Sequence, residues 1–148
     1  MEQTIWQTFT ALDITPVIEE KDRKKYLPWA VAWAIVKEHF PDATYRNIFF
    51  DGKPYLFDES LGYLVMTEVT INGQTLPMEL PVMDGANKAQ KNVPYTYQVA
   101  EYKDGKKTGK MTDKTVEAAT MYDINKTTMR CLVKNIALFG LGLHLYVK

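Results

Sequence analysis

Lys126, Arg130 and Lys134 recur at every fourth residue near the end of the chain. In an α-helix each such step turns about 40° and rises about 6 Å, so the three cations would line up as one stripe. No acidic residue follows Ile124, which leaves nothing in that stretch to neutralise them. Like charges on one face repel, and an anion lying across them would relieve the repulsion; a solvated helix surface is the plain alternative. A second group lies upstream, where Lys88 and Lys91 precede Tyr95 and Tyr97. Cations beside aromatic rings can hold phosphates and stack unpaired bases, although tyrosines alternating along a half-buried strand also serve as packing. Arg23, Lys24 and Lys25 could add phosphate contacts, but Glu19, Glu20 and Asp22 beside them make an ordinary surface run.

Catalytic chemistry finds little support. Asp51, Asp58, Glu59, Glu68 and Glu79 could supply the magnesium cluster of a nuclease, yet no spacing brings them to one face. His39 suits a helix end, where a partly cationic side chain complements the dipole, and His144 in an apolar tail reads as packed or capped. The one cysteine, Cys131, cannot form an intramolecular disulfide and reads as a small core residue within a helix. Two histidines without further cysteines give no zinc spacing, and no glycine-rich loop is present to cradle nucleotide phosphates. The expectation is a protein that is not an enzyme and uses no cofactor or metal.

The elements that would position these residues follow from periodicity. Ile5, Trp6, Phe9 and Leu12 predict a short amphipathic helix, and residues 19–25 a solvated connector. Pro28 starts a second helix running to about His39 and stopped by Pro41, with Trp29, Ala32, Trp33 and Val36 on its apolar face. Residues 45–50 and 55–57 are strand candidates around a turn at residues 51–54. Asn72-Gly73 between two alternating runs predicts a two-residue hairpin. Its register would place Val69 opposite Leu76, Thr67 opposite Met78, Val65 opposite Leu80 and Tyr63 opposite Val82. Pro77 and Pro81 then fall where no ladder donor is needed, which makes residues 74–83 an edge strand.

Residues 84–113 read as a long polar connection, with one strand over 95–102 and an exposed turn over 103–110. The last helix begins at the latest near Asp123, a plausible N-cap, and ends with Gly140 as its C′ residue. Residues 141–147 would form an apolar strand or extended tail. Together these elements predict an α+β fold with N-terminal helices, an antiparallel β-hairpin sheet and a long C-terminal helix, in a single domain over residues 1–148.

The 148 residues are 46% hydrophobic and 24% charged, a globular composition. The longest apolar runs, residues 29–36 and 136–143, fall short of the ~20 needed to cross a bilayer, and no signal pattern opens the chain; a cytoplasmic protein is expected. Formal net charge is zero, but residues 1–83 carry 7 basic and 12 acidic side chains while residues 84–148 carry 11 and 6. A polyanion responds to the local field within about 8 Å at physiological salt, so overall neutrality does not prevent its binding.

Residues 123–126, 129–134 and 136–143 resemble the signature of a Sak-type family of phage single-strand annealing proteins. That family is similar to the eukaryotic annealing proteins that form rings in recombination. Residues 26–30 with 32–34, residues 40–43 and residues 80–84 extend the resemblance in order along most of the chain. It implies a hairpin sheet packed on the last helix, with single-stranded DNA in a basic groove between them. It further implies ATP-independent annealing by a ring or helical filament in phage recombination, in the host cytoplasm, with Arg130 and Lys134 and then Lys126 as phosphate contacts. This sequence departs from its relatives at Lys148, beyond which they usually continue through an acidic segment and sometimes a C-terminal extension; a single-strand-binding protein would be a further partner only through that extension. The alternatives are a non-catalytic module that binds an acidic protein through its basic face and, more distantly, a metal-dependent nuclease.

Overall fold

The computed structural model describes residues 2–147. Thr4 starts the first helix, α1 (Ile5–Thr10), through a capping box: its hydroxyl accepts from the Gln7 amide while the Gln7 side chain accepts from the Thr4 amide, both at 3.0 Å. Where a connector was expected, β1 (Glu19–Lys21) and β2 (Lys24–Tyr26) form a small exposed hairpin. Asp22 and Arg23 both take positive φ at its tip, a geometry that lets two residues reverse the chain. The second helix, α2 (Trp29–His39), follows Pro28 and ends before Pro41 as the sequence predicts. Of its expected apolar face, Ala32 and Val36 are buried and Trp33 half-buried, but Trp29 is exposed.

β3 (Thr44–Asn47), β4 (Leu56–Asp58), β5 (Gly62–Ile71) and β6 (Gln74–Pro81) make one antiparallel sheet. β5 is its centre: β3 and β4 pair in succession along one side and β6 along the other. The hairpin register is the predicted one, with Val65 opposite Leu80, Thr67 opposite Met78 and Val69 opposite Leu76. The Val82 amide continues the ladder by donating to the Tyr63 carbonyl. Pro77 and Pro81 oppose Glu68 and Leu64, the intervening positions, and β6 is an edge strand among the described residues.

Residues 95–116 depart most from the expectation. Two strands, β7 (Tyr95–Lys103) and β8 (Lys106–Val116), pair with each other alone, and the turn is just Asp104-Gly105. β8 escaped sequence reading because it lacks the apolar alternation that marks a half-buried strand; along it only Thr112 and Val116 are shielded from solvent. The register breaks between Ala100 and Tyr102, where the Thr108 hydroxyl donates to Glu101.

The last helix, α3 (Met121–Ala137), starts two residues before Asp123. Thr120 is the N-cap; Asp123 is its capping-box partner, with a carboxylate oxygen accepting from the Thr120 amide at 2.9 Å. At the other end Leu138 is the cap, and Gly140 lies two residues further on, so it is not the C′ residue. Gly140 is needed instead for close approach: a Cβ there would stand 3.1 Å from the Trp6 ring of α1. Residues Leu143–Tyr146 form a 3-10 turn in place of the expected strand or tail, and His144 on it is exposed.

The result is α+β, with helices on one face of the sheet. Phe9, Ala32, Val36, Val69, Ile71, Leu132, Ile136 and Phe139 join α1, α2, β5 and α3 in the larger core cluster. Val65, Leu80, Val82, Ile124 and Cys131 form a second cluster beneath the first half of α3. No described helix is long and apolar enough to cross a membrane.

Candidate nucleic-acid interface

A buried polar seam fixes how α3 is rotated. The Thr67 hydroxyl donates to Asn135 Oδ1 at 2.8 Å, Asn135 Nδ2 donates to the Leu76 carbonyl at 2.8 Å, and the Cys131 thiol donates to the Met78 carbonyl at 3.2 Å. Cys131 and Asn135, one turn apart, therefore point into the β5–β6 hairpin, and both are fully buried. Burial pushes the Cys131 thiol above its ordinary ionisation range, and hydrogen bonding with Thr67 opposes the shift only in part. Arg130 and Lys134 each precede one of these residues, about 100° around the axis, and so come out on another side. Thr127 and Thr128, also buried, return their hydroxyls to the carbonyls of Asp123 and Ile124 and need no other partner.

On that outer side Lys126 and Arg130 are exposed and Lys134 is half-buried. Among the described residues ion pairing is confined to Arg46 and Glu68, 2.6 Å apart on the opposite sheet face, so no carboxylate neutralises the stripe by direct contact. Aromatic rings lie beside it instead. The Lys126 ammonium is 5.7 Å from the centre of the Tyr122 ring, and that of Lys134 is 5.5 Å from the Tyr146 ring. Tyr146 comes from the terminal 3-10 turn; burial raises its phenol's ionisation, and the charge of Arg130 works against the rise. Sequence reading missed both tyrosines. Tyr122 lay at the edge of a helix expected to begin at the latest near Asp123, and Tyr146 lay in an expected strand or extended tail with no predicted neighbour.

Lys126 differs from the other two cations. It lines an open recess of about 450 Å³ with Asp84, Gln90, Glu117 and Asp123, so folding adds Asp84 and Glu117 to the aspartate already three residues before it. Gln90 donates to Asp123 at 3.3 Å, which ties the loop of residues 84–91 to the start of α3. The loop is ordered by Asp84, whose carboxylate accepts from the amides of Ala86 and Lys88.

Lys88 and Lys91 do pair with tyrosines, at 4.7 Å from the Tyr97 ring and 4.9 Å from the Tyr95 ring. Both rings are half-buried, and the Tyr95 hydroxyl donates to the Ala89 carbonyl. These two rings thus help to hold the loop against the root of β7. No group of three or more histidine, cysteine or acidic side chains placed to hold a metal ion occurs among the described residues.

No curated protein and no solved structure matches the chain. A family model does, over residues 4–148, the stretch that contains the hairpin sheet, the α3 stripe and the seam between them. The chain belongs to the Sak single strand annealing protein family.

Proposed function

We propose that this protein binds single-stranded DNA along the outer side of α3 and anneals it to a complementary strand in phage homologous recombination, as an oligomer and without ATP. Family membership supports the activity. Arg130 and Lys134 carry the placement: both are free of carboxylate partners among the described residues, and both are aimed outward by the seam beneath them. Phosphates laid across these cations leave bases free, and pairing with the second strand drives annealing. One copy offers few phosphate contacts, so binding by a ring or filament of copies supplies avidity. Lys126 contributes less, given the acidic recess around it. Lys88 and Lys91 extend the cationic path along the 84–91 loop, with Tyr95 and Tyr97 shaping that loop.

Electrophoretic mobility shift with a labelled oligonucleotide, at two salt concentrations, tests this directly. Arg130→Ala with Lys134→Ala should weaken binding about tenfold at physiological salt and flatten the slope of log affinity against log salt by about 1.4, the effect of two lost single-strand phosphate contacts. Melting temperature should stay within about 2 °C, since Arg130 is exposed, Lys134 is half-buried and neither makes an ion pair among the described residues. Unchanged affinity in the folded double variant would remove the site from α3. Binding of acidic proteins but not of DNA would support an adaptor instead.

A further inference from the structure

Tyr122 and Tyr146 are aromatic side chains that flank the cation stripe, the first standing free and the second partly covered. Tyr122 is 73% exposed and Tyr146 46% exposed, and neither belongs to either core cluster. A tyrosine four residues before a lysine on a helix makes a cation–ring contact of small worth; its place beside the cation stripe is what sets Tyr122 apart from the other exposed aromatic side chains. Tyr146 has no such helical neighbour; the 3-10 turn carries it back to Lys134 from twelve residues away. Tyr122 lies beside Lys126 at the start of the cation stripe, and Tyr146 lies beside Lys134, within the influence of Arg130, towards its end.

From this arrangement we propose that Tyr122 and Tyr146 are stacking platforms for two unpaired bases of the strand whose phosphates lie on Arg130 and Lys134. The assignment rests on the function proposed above and adds where bases, as opposed to phosphates, are touched. Residues 122 and 134 are separated by about 18 Å along the helix axis. At about 3.4 Å per stacked nucleotide that span matches roughly five nucleotides, so the rings grip the ends of a short segment. The inner bases remain open to a complementary strand. Aromatic stacking tolerates any base, as annealing of arbitrary sequence requires.

Two ligands of equal length and charge separate base contacts from phosphate contacts: an oligothymidylate, and the same sugar-phosphate chain with abasic sites throughout. Fluorescence anisotropy with the full chain should show the wild type binding the first more tightly. Tyr122→Leu with Tyr146→Leu should weaken oligothymidylate binding at least tenfold, by loss of two stacked bases, and change abasic binding less than about twofold. Tyr122→Phe and Tyr146→Phe should restore oligothymidylate binding, because a phenyl ring also stacks. If Tyr146→Leu unfolds the protein, Tyr122→Leu alone, at an exposed helix position, should still show the selective loss. Equal losses on both ligands, or no loss on either, overturn the platforms while leaving phosphate binding on α3 intact. A wild type that binds neither ligand overturns the proposed function itself.

Discussion

The two long hairpins begin from the same device. Asn72-Gly73 and Asp104-Gly105 are both two-residue turns with positive φ at both positions, 49° and 79° in the first, 54° and 78° in the second. Beyond the turn they diverge. Every second residue of β5 from Val65 to Ile71 is buried under α3, whereas β7–β8 contacts little but itself and is covered mainly at its root, where Val116 is buried opposite Tyr95. Turn chemistry is enough to reverse a chain; an apolar stripe of period two is what anchors the result. Two strands alone are marginal in water, so β7–β8 belongs to the low-stability end of this molecule and β5–β6 to the high. The α3 cations stand over the anchored hairpin, and five lysines, Lys103, Lys106, Lys107, Lys110 and Lys114, ride on the other.

The sharpest way to break that contrast is to truncate one side chain in each region. Leu132 is fully buried in the core that α3 shares with β5, so Leu132→Ala should cost about 2–5 kcal/mol in urea unfolding, through lost transfer energy and the cavity left behind. Met111→Ala on β8, where the side chain is exposed, should stay within about 0.5 kcal/mol. Similar losses at the two sites would mean that the arm is packed against something and that the contrast is false. The polar seam comes next in size. Asn135→Ala leaves the Thr67 hydroxyl and the Leu76 carbonyl short of a partner in the interior, at about 1–3 kcal/mol. It should also loosen α3 on the sheet, and DNA affinity should fall although no cation has been removed.

Which parts were legible in advance follows the same division. The β5–β6 register could be read residue by residue, because a one-residue slip would turn Val65, Thr67, Val69 and Ile71 out to solvent. Lys126, Arg130 and Lys134 could be placed on one stripe because helical spacing is local. Asp104-Gly105 carries as strong a turn signal as Asn72-Gly73, but without alternating apolar residues on both sides it was absorbed into a lysine-rich loop. The seam of Thr67, Cys131, Asn135 and the carbonyls of Leu76 and Met78 joins residues 53 to 68 positions apart, and nothing in their local spacing announces it. The acidic recess around Lys126 was hidden for a related reason: Asp84 and Glu117 reach it through folding, not through proximity in the chain. Thr120 was the missed local signal, since a threonine three residues before an acidic side chain marks a helix start.

The finest test makes the same substitution in both turns. An alanine Cβ would meet nothing within 4 Å at Gly73 or at Gly105, so Gly73→Ala and Gly105→Ala each cost only the strain of a left-handed alanine, about 1–2 kcal/mol. At Gly73 that strain sits in the hairpin whose pairing the whole core depends on, and it should lower the melting temperature by about 2–4 °C per kcal/mol. At Gly105 the same strain falls on a unit that can open by itself, so melting should barely move. Amide hydrogen exchange over residues 95–116 should quicken there by roughly fivefold or more, while protection of residues 62–81 is unchanged. Were Gly105→Ala to lower the melting temperature as much as Gly73→Ala, the arm would be unfolding together with the core, and the covering that holds it would have to come from a second copy of the chain.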